Sequence, residues 1–230
     1  MAGRVCVSSP ARFAPAHGWC AREVEEDLPE LRVLLTEVPV GGIRAPLTAD
    51  SPKEIRDRLR HMSNRFRGAR AVGIRREPVP AAYRVFFRQI GLDPDIVRTP
   101  IEAAVLERML RGGFPSGGLL RDVLLIALID TGVPVWAVDA ESVDGPLGIR
   151  PSREGELLGE DPSAPALPAG RLVIADASKA LGVLFGRLAP QYEVARATRR
   201  LMLFTVQVAG VPGLFVEEAL WTCHAALEGV

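Results

Sequence analysis

The segment from Asp122 to Asp139, DVLLIALIDTGVPVWAVD, constrains the fold of this chain more than any other. Its apolar spacing predicts a helix that runs into Thr131-Gly132, and Pro134 then opens a short apolar strand that ends on Asp139. Between its two flanking acids the segment contains no His, Ser, Asn or Cys. If it lines a pocket, that pocket is suited to binding a ligand rather than to reacting with it.

The composition argues against several classes of protein. The chain has 230 residues, 48% of them apolar, which is typical of a globular protein with a full core. Basic and acidic residues balance at 28 each, which removes the broad electrostatic argument for nucleic-acid binding but leaves a local patch open. The apolar run Val123 to Ile129 is too short to span a bilayer, so no membrane association is expected.

The cysteines Cys6, Cys20 and Cys223 are too few and too scattered for a disulfide framework, and no CxxC pair is present. We therefore expect no metal site, and nothing in the sequence calls for a cofactor. A cytoplasmic location fits this cysteine usage best. The N-terminus also lacks the sustained apolar core of a signal peptide.

The front half of the chain predicts four helices. Ser51-Pro52-Lys53-Glu54 supplies an N-cap, a first-turn Pro and a capping-box Glu for an Arg-rich helix that runs to about Arg67. A second helix follows Pro80. Thr99-Pro100-Ile101-Glu102 repeats the capping pattern for a third, and Leu119 to Ile129 forms the fourth.

The back half is predicted to be rich in β-structure, with a closing helix over Phe215–Leu227. Its predicted strands are Val135–Val138, Leu147–Ile149, Leu172–Ala175, Leu181–Phe185 and Arg199–Val208, and one further strand, Leu31–Val40, is predicted in the front half. A helical N-terminal half packed on a mostly antiparallel, β-rich C-terminal half implies an α+β fold. We expect an irregular lead-in over residues 1–27 and a single domain over residues 28–230.

The order of short motifs is similar to that of a known domain. Pro80-Ala81-Ala82-Tyr83-Arg84 and Gly91-Leu92-Asp93-Pro94 are followed by Thr131-Gly132-Val133-Pro134-Val135 and by Leu172–Asp176. In this order they resemble the B3/B4 domain of the phenylalanyl-tRNA synthetase beta subunit, and most closely the free-standing B3/B4-domain proteins of bacteria and archaea. The resemblance covers roughly residues 28 to 228.

The resemblance implies a B3/B4-like fold and a link to aminoacyl-tRNA. In the synthetase, this domain hydrolyses the ester that joins a wrong amino acid, tyrosine, to tRNA. For a free-standing relative, it implies binding of tRNA or an aminoacyl ester, or a related hydrolysis.

The polar residues that the resemblance implies for the site are replaced here. A Thr-Asn pair of the synthetase corresponds to Leu124 and Leu125, and free-standing relatives have Asn at the position of Leu125 and Ser at that of Leu128. A synthetase His corresponds to Trp136. As a pocket wall, Trp136 would stack on an aromatic or apolar ligand and offer its indole N–H, and as a core residue it would only fill space. The two interpretations are about equally supported.

Three further positions follow from the same resemblance. Arg187 matches an Arg of the relatives, and it either pairs with a ligand carboxylate or phosphate or is a solvated loop residue. Asp122 and Asp139 remain, and in the family they look like supports for the helix and strand ends. The substrate-binding candidates are therefore Trp136, Leu124, Leu125, Leu128, Asp139 and Arg187.

Catalytic candidates are weak. Ester hydrolysis needs an activated water and stabilisation of the oxyanion, and His17, His61 and His224 lie away from the predicted pocket in sequence. Ser116 is a conceivable nucleophile without a visible His partner, and a loop serine is the stronger interpretation. Arg187, or an acid–base pair formed by Tyr192 and Glu193, is the other option, on sequence proximity alone.

The Arg-rich helix over residues 51–67 has two interpretations, an RNA-facing surface or the solvated face of an amphipathic helix. The zero net charge favours the solvated face.

Three functions from different classes remain. The first is an aminoacyl-tRNA deacylase acting in trans, with aminoacyl-tRNA as its partner. The second is a repurposed enzyme of a specialised biosynthetic pathway that binds and positions an apolar small molecule. The third is a non-catalytic binding protein. An enzyme is favoured overall, the resemblance favours the first function, and the physical chemistry favours the second. The sequence leaves the oligomeric state open.

Overall fold

The computed structural model describes residues 13–66, 68–159, 162 and 164–230. The α-helices in these residues are α1 Arg22–Asp27, α2 Lys53–Arg65, α3 Gly68–Gly73, α4 Pro78–Gln89, α5 Pro100–Arg111, α6 Leu119–Thr131 and α7 Gly213–Glu228. The strands are β1 Ala16–His17, β2 Trp19–Cys20, β3 Arg32–Pro39, β4 Val135–Asp139, β5 Gly148–Pro151, β6 Leu172–Ala175, β7 Ala180–Val183 and β8 Arg200–Gln207. Most helices precede most strands, so the predicted α+β class is confirmed.

The strands form two four-stranded sheets. The first sheet has the order β1-β3-β8-β4, and every pair in it is antiparallel. The second has the order β2-β5-β6-β7, and only the β2–β5 pair is parallel. β8 lies between β3 and β4, so the first sheet is completed by a strand from near the end of the chain.

The N-terminal segment corrects one expectation. Residues 1–12, including Cys6, lie outside the described residues, but β1, β2 and α1 lie within the lead-in that was expected to be irregular. β1 pairs with β3, and β2 pairs with β5. The prediction was wrong there because two-residue strands have no periodicity of their own, and long-range pairing alone defines them.

Of the two capping boxes predicted from the sequence at helix starts, one is present and one is not. The capping box predicted at Thr99 and Glu102 is present. The one predicted at Ser51 is wrong, because α2 begins after Pro52 without a side-chain cap and the Ser51 hydroxyl donates to Asp122 instead. α2 ends at Arg65, and a further helix, α3, follows; Arg67 lies outside the described residues.

The predicted apolar helix α6 lies in the core. Leu119, Val123 and Ile126 are fully buried along it. α6 packs against α7 and α2, and the Cys223 thiol of α7 donates to the carbonyl of Val123 at 3.9 Å. Among the described residues, no helix has both the length and the apolar character needed to cross a membrane.

Candidate functional site

The turn after α6 holds β4 and its Trp136 in place. Gly132 has φ of 76°, a left-handed conformation that glycine adopts without strain, and its N–H donates to Leu128 at 2.8 Å. The Thr131 hydroxyl donates to a carbonyl one turn back and accepts from Val133 N–H at 3.1 Å. These bonds end the helix and set the direction in which β4 leaves it.

Asp122 is a buried acceptor at the other end of α6. Its carboxylate accepts hydrogen bonds from the Ser51 hydroxyl at 2.6 Å, from the Ser116 hydroxyl and from Gly117 N–H at 2.8 Å. The residue is fully buried. Asp122 therefore ties the start of α2 and the loop before α6 to α6 itself.

Asp139 has a similar role where β4 ends. One carboxylate oxygen accepts from Glu141 N–H at 3.0 Å, which caps a short 3₁₀ turn over Ala140–Ser142. The other oxygen accepts from the Thr198 hydroxyl at 2.7 Å. Both oxygens thus bind groups of the protein itself.

Trp136 lies in an aromatic cluster between the two sheets. It stacks on Phe204, its cross-strand neighbour, with ring centroids 5.7 Å apart, and Phe185 meets it edge-on at 5.2 Å. The cavity there is about 10 Å³, roughly the space of one water molecule. Its lining is apolar and consists of Trp136, Ile174, Val183, Leu184, Phe185, Gly186, Leu188, Phe204 and Val206.

Phe185 fills the centre of this cluster from a strained backbone. Its φ of 57° is the only positive value at a non-glycine position in the described residues, and such a conformation costs about 1 kcal/mol or more. Its ring also packs on Tyr83, Phe86 and Phe87 of α4, at 5.7, 5.7 and 5.1 Å. Favourable aromatic pairs contribute about 0.5–1.5 kcal/mol each, so together they offset the strain.

The leucines predicted beside Trp136 do not line this cavity. Leu124 and Leu125 are half-buried, Leu128 is buried, and all three are on α6. The cavity is lined instead by residues of β4, β6, β7, β8 and the segment after β7. The structure therefore does not bring the three leucines to the Trp136 cavity.

The catalytic candidates lie on separate elements. Ser116 donates its hydroxyl to Asp122. Arg187 and Glu193 are exposed, and neither has a side-chain hydrogen bond or ion pair among the described residues. Tyr192 is buried, and its pKa is raised by that burial and by the negative charge of Asp176. A phenol with a raised pKa keeps its proton at neutral pH, so Tyr192 is not a ready base.

The histidines add no acid–base group to the aromatic cluster. His17 and His61 are exposed, on β1 and α2. His224 stacks on Trp221 of α7 with the rings 11° from parallel. The described residues also contain no group of three or more His, Cys, Asp or Glu arranged to hold a metal ion.

The Arg-rich helix α2 directs much of its charge to its own neighbours. Arg58 pairs with Asp130 at 2.8 Å, Arg60 pairs with Asp57 at 2.9 Å, and the Arg56 guanidinium donates to the Ser51 carbonyl. These pairs leave less free positive charge on the surface for a phosphate backbone.

Sequence reasoning missed Phe185 and its partners on α4. Phe185 was predicted as the last residue of a strand, whereas β7 ends at Val183 and Phe185 lies in the turn that follows. The dipeptide Phe185-Gly186 at the end of an apolar run was the available signal, because Gly next to a strand end often marks a turn.

Comparison with known proteins gives a consistent picture. No family model matches the chain. It is 35% identical over 116 residues to the phenylalanine–tRNA ligase beta subunit of Xanthomonas axonopodis pv. citri, which is 49% of this chain and 14% of that protein. The beta subunit of Cutibacterium acnes is 35% identical over 85 residues, 36% of this chain and 10% of that protein. The beta subunit of Methylococcus capsulatus is 40% identical over 81 residues, which is 34% of this chain and 10% of that protein.

The chain thus spans only a small part of the curated relatives that it matches, 14% of the first of them. The resemblance to the synthetase beta subunit is confirmed over about half of this chain. Together with the α+β fold, these matches support a B3/B4-like domain.

Proposed function

From its similarity to part of a tRNA ligase subunit, we propose that this chain binds an aminoacyl group, presented on tRNA or as a small ester, through the aromatic cluster at Trp136. The observation that carries the proposal is the apolar lining of the space between Trp136, Phe185 and Phe204. Burial of an apolar side chain in such a site contributes about 25 cal/mol for each Å² removed from water.

The arrangement supports binding more than hydrolysis. A hydrolase must hold a base, a water and an oxyanion donor within hydrogen-bond distance of one ester. Ser116 is bonded to Asp122, Tyr192 is buried, and Arg187 and Glu193 are exposed on loops. No described titratable side chain lines the cavity. We therefore expect the bound ester to persist.

The direct test compares binding and hydrolysis on the same substrates. Tyrosyl-tRNA and phenylalanyl-tRNA are titrated with the protein by fluorescence anisotropy, beside uncharged tRNA, and the ester half-life is followed at micromolar protein. We expect charged tRNA to bind more tightly than uncharged tRNA, with an unchanged ester half-life. Equal binding of the two would refute recognition of the aminoacyl group, and a shortened half-life would establish a deacylase instead.

A pair of variants locates the binding. Trp136→Ala should remove the preference for charged tRNA. Trp221→Ala is the matched control, because Trp221 lies on α7 and packs on Phe13 and His224. If both variants bind like the unmodified protein, Trp136 is not in the site.

A second function is favoured by a different observation. The net charge is zero, and three arginines of α2 (Arg56, Arg58 and Arg60) are paired with acids or bonded to backbone, which weakens attraction to a nucleic-acid backbone. On this alternative, the same cluster binds an apolar small molecule and positions it for a reaction of a specialised pathway. It predicts that tRNA has no effect on binding of the small molecule, and competition by tRNA would rule it out.

A further inference from the structure

The turn after β7 holds a phenylalanine where the backbone favours glycine. Gly186 N–H donates to the Val183 carbonyl at 2.8 Å, and Val183 N–H donates to the Arg187 carbonyl at 3.0 Å, which closes a tight turn. Phe185 is the third residue of this turn, with φ of 57°. At that position a positive φ normally selects Gly or Asn. Leaving this conformation would relieve the backbone strain at Phe185. That gain in free energy offsets part of the packing energy that the Phe185 ring loses when the turn opens.

The walls around the Phe185 ring are held without its help. The Tyr83 hydroxyl, on α4, donates to the Val206 carbonyl at 2.8 Å. Trp136 and Phe204 are directly opposite each other in the β4–β8 pair. These rings are anchored by a helix and a sheet, whereas Phe185 is carried by a turn whose next two residues, Gly186 and Arg187, are exposed.

The space behind this turn has the size and chemistry of an aromatic ring. Phe185 occupies it with a benzyl group, and the space left beside it is about 10 Å³, no more than one water molecule needs. The surrounding rings of Tyr83, Phe86, Phe87 and Trp136 lie 5.1–5.7 Å from that of Phe185. The Trp136 indole N–H has no hydrogen-bond partner among the described residues, so it is available as a donor to a ligand.

We propose that Phe185 is the displaceable occupant of a site for a planar aromatic group. When the turn over residues 183–187 opens, the group enters between Trp136 and the α4 rings, and an acceptor on it accepts from the Trp136 indole N–H. The inference rests on the proposed function, since it states which class of side chain is bound and how the cluster becomes accessible. It also explains why the closed cluster has almost no free volume.

The displacement has a quantitative consequence. If the site is open for only a fraction of the time, the measured Kd is the intrinsic Kd divided by that fraction. Phe185→Gly empties the site and suits the positive φ, so it should bind a small aromatic probe at least tenfold more tightly than the unmodified protein. An engineered apolar cavity of about 150 Å³ in another protein binds benzene, so a benzyl-sized space suffices.

The test uses 4-fluorophenol, a planar ring with one hydrogen-bonding oxygen. Binding is measured by ¹⁹F NMR of the probe and by the indole N–H signals of the tryptophans, with the Trp136 signal assigned by Trp136→Phe. We expect the indole signal of Trp136, and of no other tryptophan, to shift. In the unmodified protein this should need millimolar probe, and in Phe185→Gly a probe concentration at least tenfold lower. Phe114→Gly is the matched control, because it removes another loop ring, one that packs on Phe66.

Each other outcome overturns the proposal. No shift of the Trp136 signal in the unmodified protein means that Phe185 is a fixed core residue, whatever the variant does. Equal affinity in both proteins means that Phe185 does not obstruct the site. Should Phe185→Gly fail to fold, Phe185→Leu must show a smaller gain in affinity. The probe carries no tRNA or ester, so probe binding would still support displacement of Phe185 if aminoacyl-tRNA did not bind. If aminoacyl-tRNA bound and the probe did not, only the displacement of Phe185 would be refuted.

Discussion

Replacing Asp122 with alanine should destabilise the protein more than any other single change at the polar residues of the Asp122–Asp139 segment. Its carboxylate is fully buried and accepts from Ser51, Ser116 and Gly117. A hydrogen bond to a charged group contributes about 1.5–3 kcal/mol, and a buried donor left without a partner carries its full desolvation penalty.

The three donors do not count equally. Ser51 is buried, so its bond is not readily replaced by water. Ser116 and Gly117 are both exposed and make part-buried bonds, but the Ser116 hydroxyl can turn to solvent whereas the Gly117 N–H is held in place by the backbone. Two bonds therefore dominate. The variant is also spared the cost of burying a charge, which offsets part of the loss, so we expect a destabilisation of about 3 kcal/mol. Ser51→Ala should cost about 1.5 kcal/mol, since it removes one hydrogen bond to the charged carboxylate.

The assay is urea unfolding at pH 7, followed by far-ultraviolet circular dichroism and extrapolated linearly to zero urea. Asp139→Ala is the matched control. Asp139 caps a single 3₁₀ turn and bonds one hydroxyl while only half-buried, so it should cost about 1 kcal/mol. A loss at Asp122 no larger than the loss at Asp139 would refute the argument that Asp122 holds α2, α6 and the intervening loop together.

Two further predictions concern titratable groups. The hydrogen bonds from Arg150 hold the pKa of Glu156 below its usual 4.5, so this pair stabilises the fold above that pH and the contribution is lost as the pH falls through the lowered pKa. Glu156→Gln should therefore cost about 2 kcal/mol in urea unfolding at pH 7 and almost nothing at the acid end, and a pH-independent difference would contradict the pairing. Burial raises the pKa of both thiols, that of Cys223 to about 12, but Cys20 is only half-buried and stays accessible to a reagent, whereas Cys223 is fully buried. A thiol reagent at pH 8 should therefore label Cys20 in the folded protein and Cys223 only on unfolding, and fast native labelling of Cys223 would exclude the buried packing of α7 on α6.

Local signals predicted the helix boundaries that depend on local chemistry. The Thr99–Glu102 capping box and the glycine at position 132 each act within a few residues, and both are where the sequence indicated. The class of fold also follows from the order of such elements. The short strands β1 and β2 were missed because the strands that they pair with, in the part of the chain that the structure describes, come later in the sequence.

Ser51 shows how a tertiary contact overrides a local preference. The sequence around it is that of an N-cap, yet its hydroxyl donates to the carboxylate of Asp122. A buried charge is a stronger acceptor than anything a neighbouring residue offers, and it comes from a helix that is remote in the chain. No local pattern contains that information.

The candidate site likewise has features that the local sequence predicts and features that depend on tertiary packing. The amino acids alone predict an apolar segment from Asp122 to Asp139 that turns at Gly132 and contains no His, Ser, Asn or Cys, because these are properties of the residues themselves. It is the packing of the elements that keeps Leu124, Leu125 and Leu128 out of the cavity lining and puts Phe185 in the space beside Trp136. Caps and periodicity act over a few residues, whereas the contact of one ring with another depends on how α4, β4, β8 and the turn after β7 pack together.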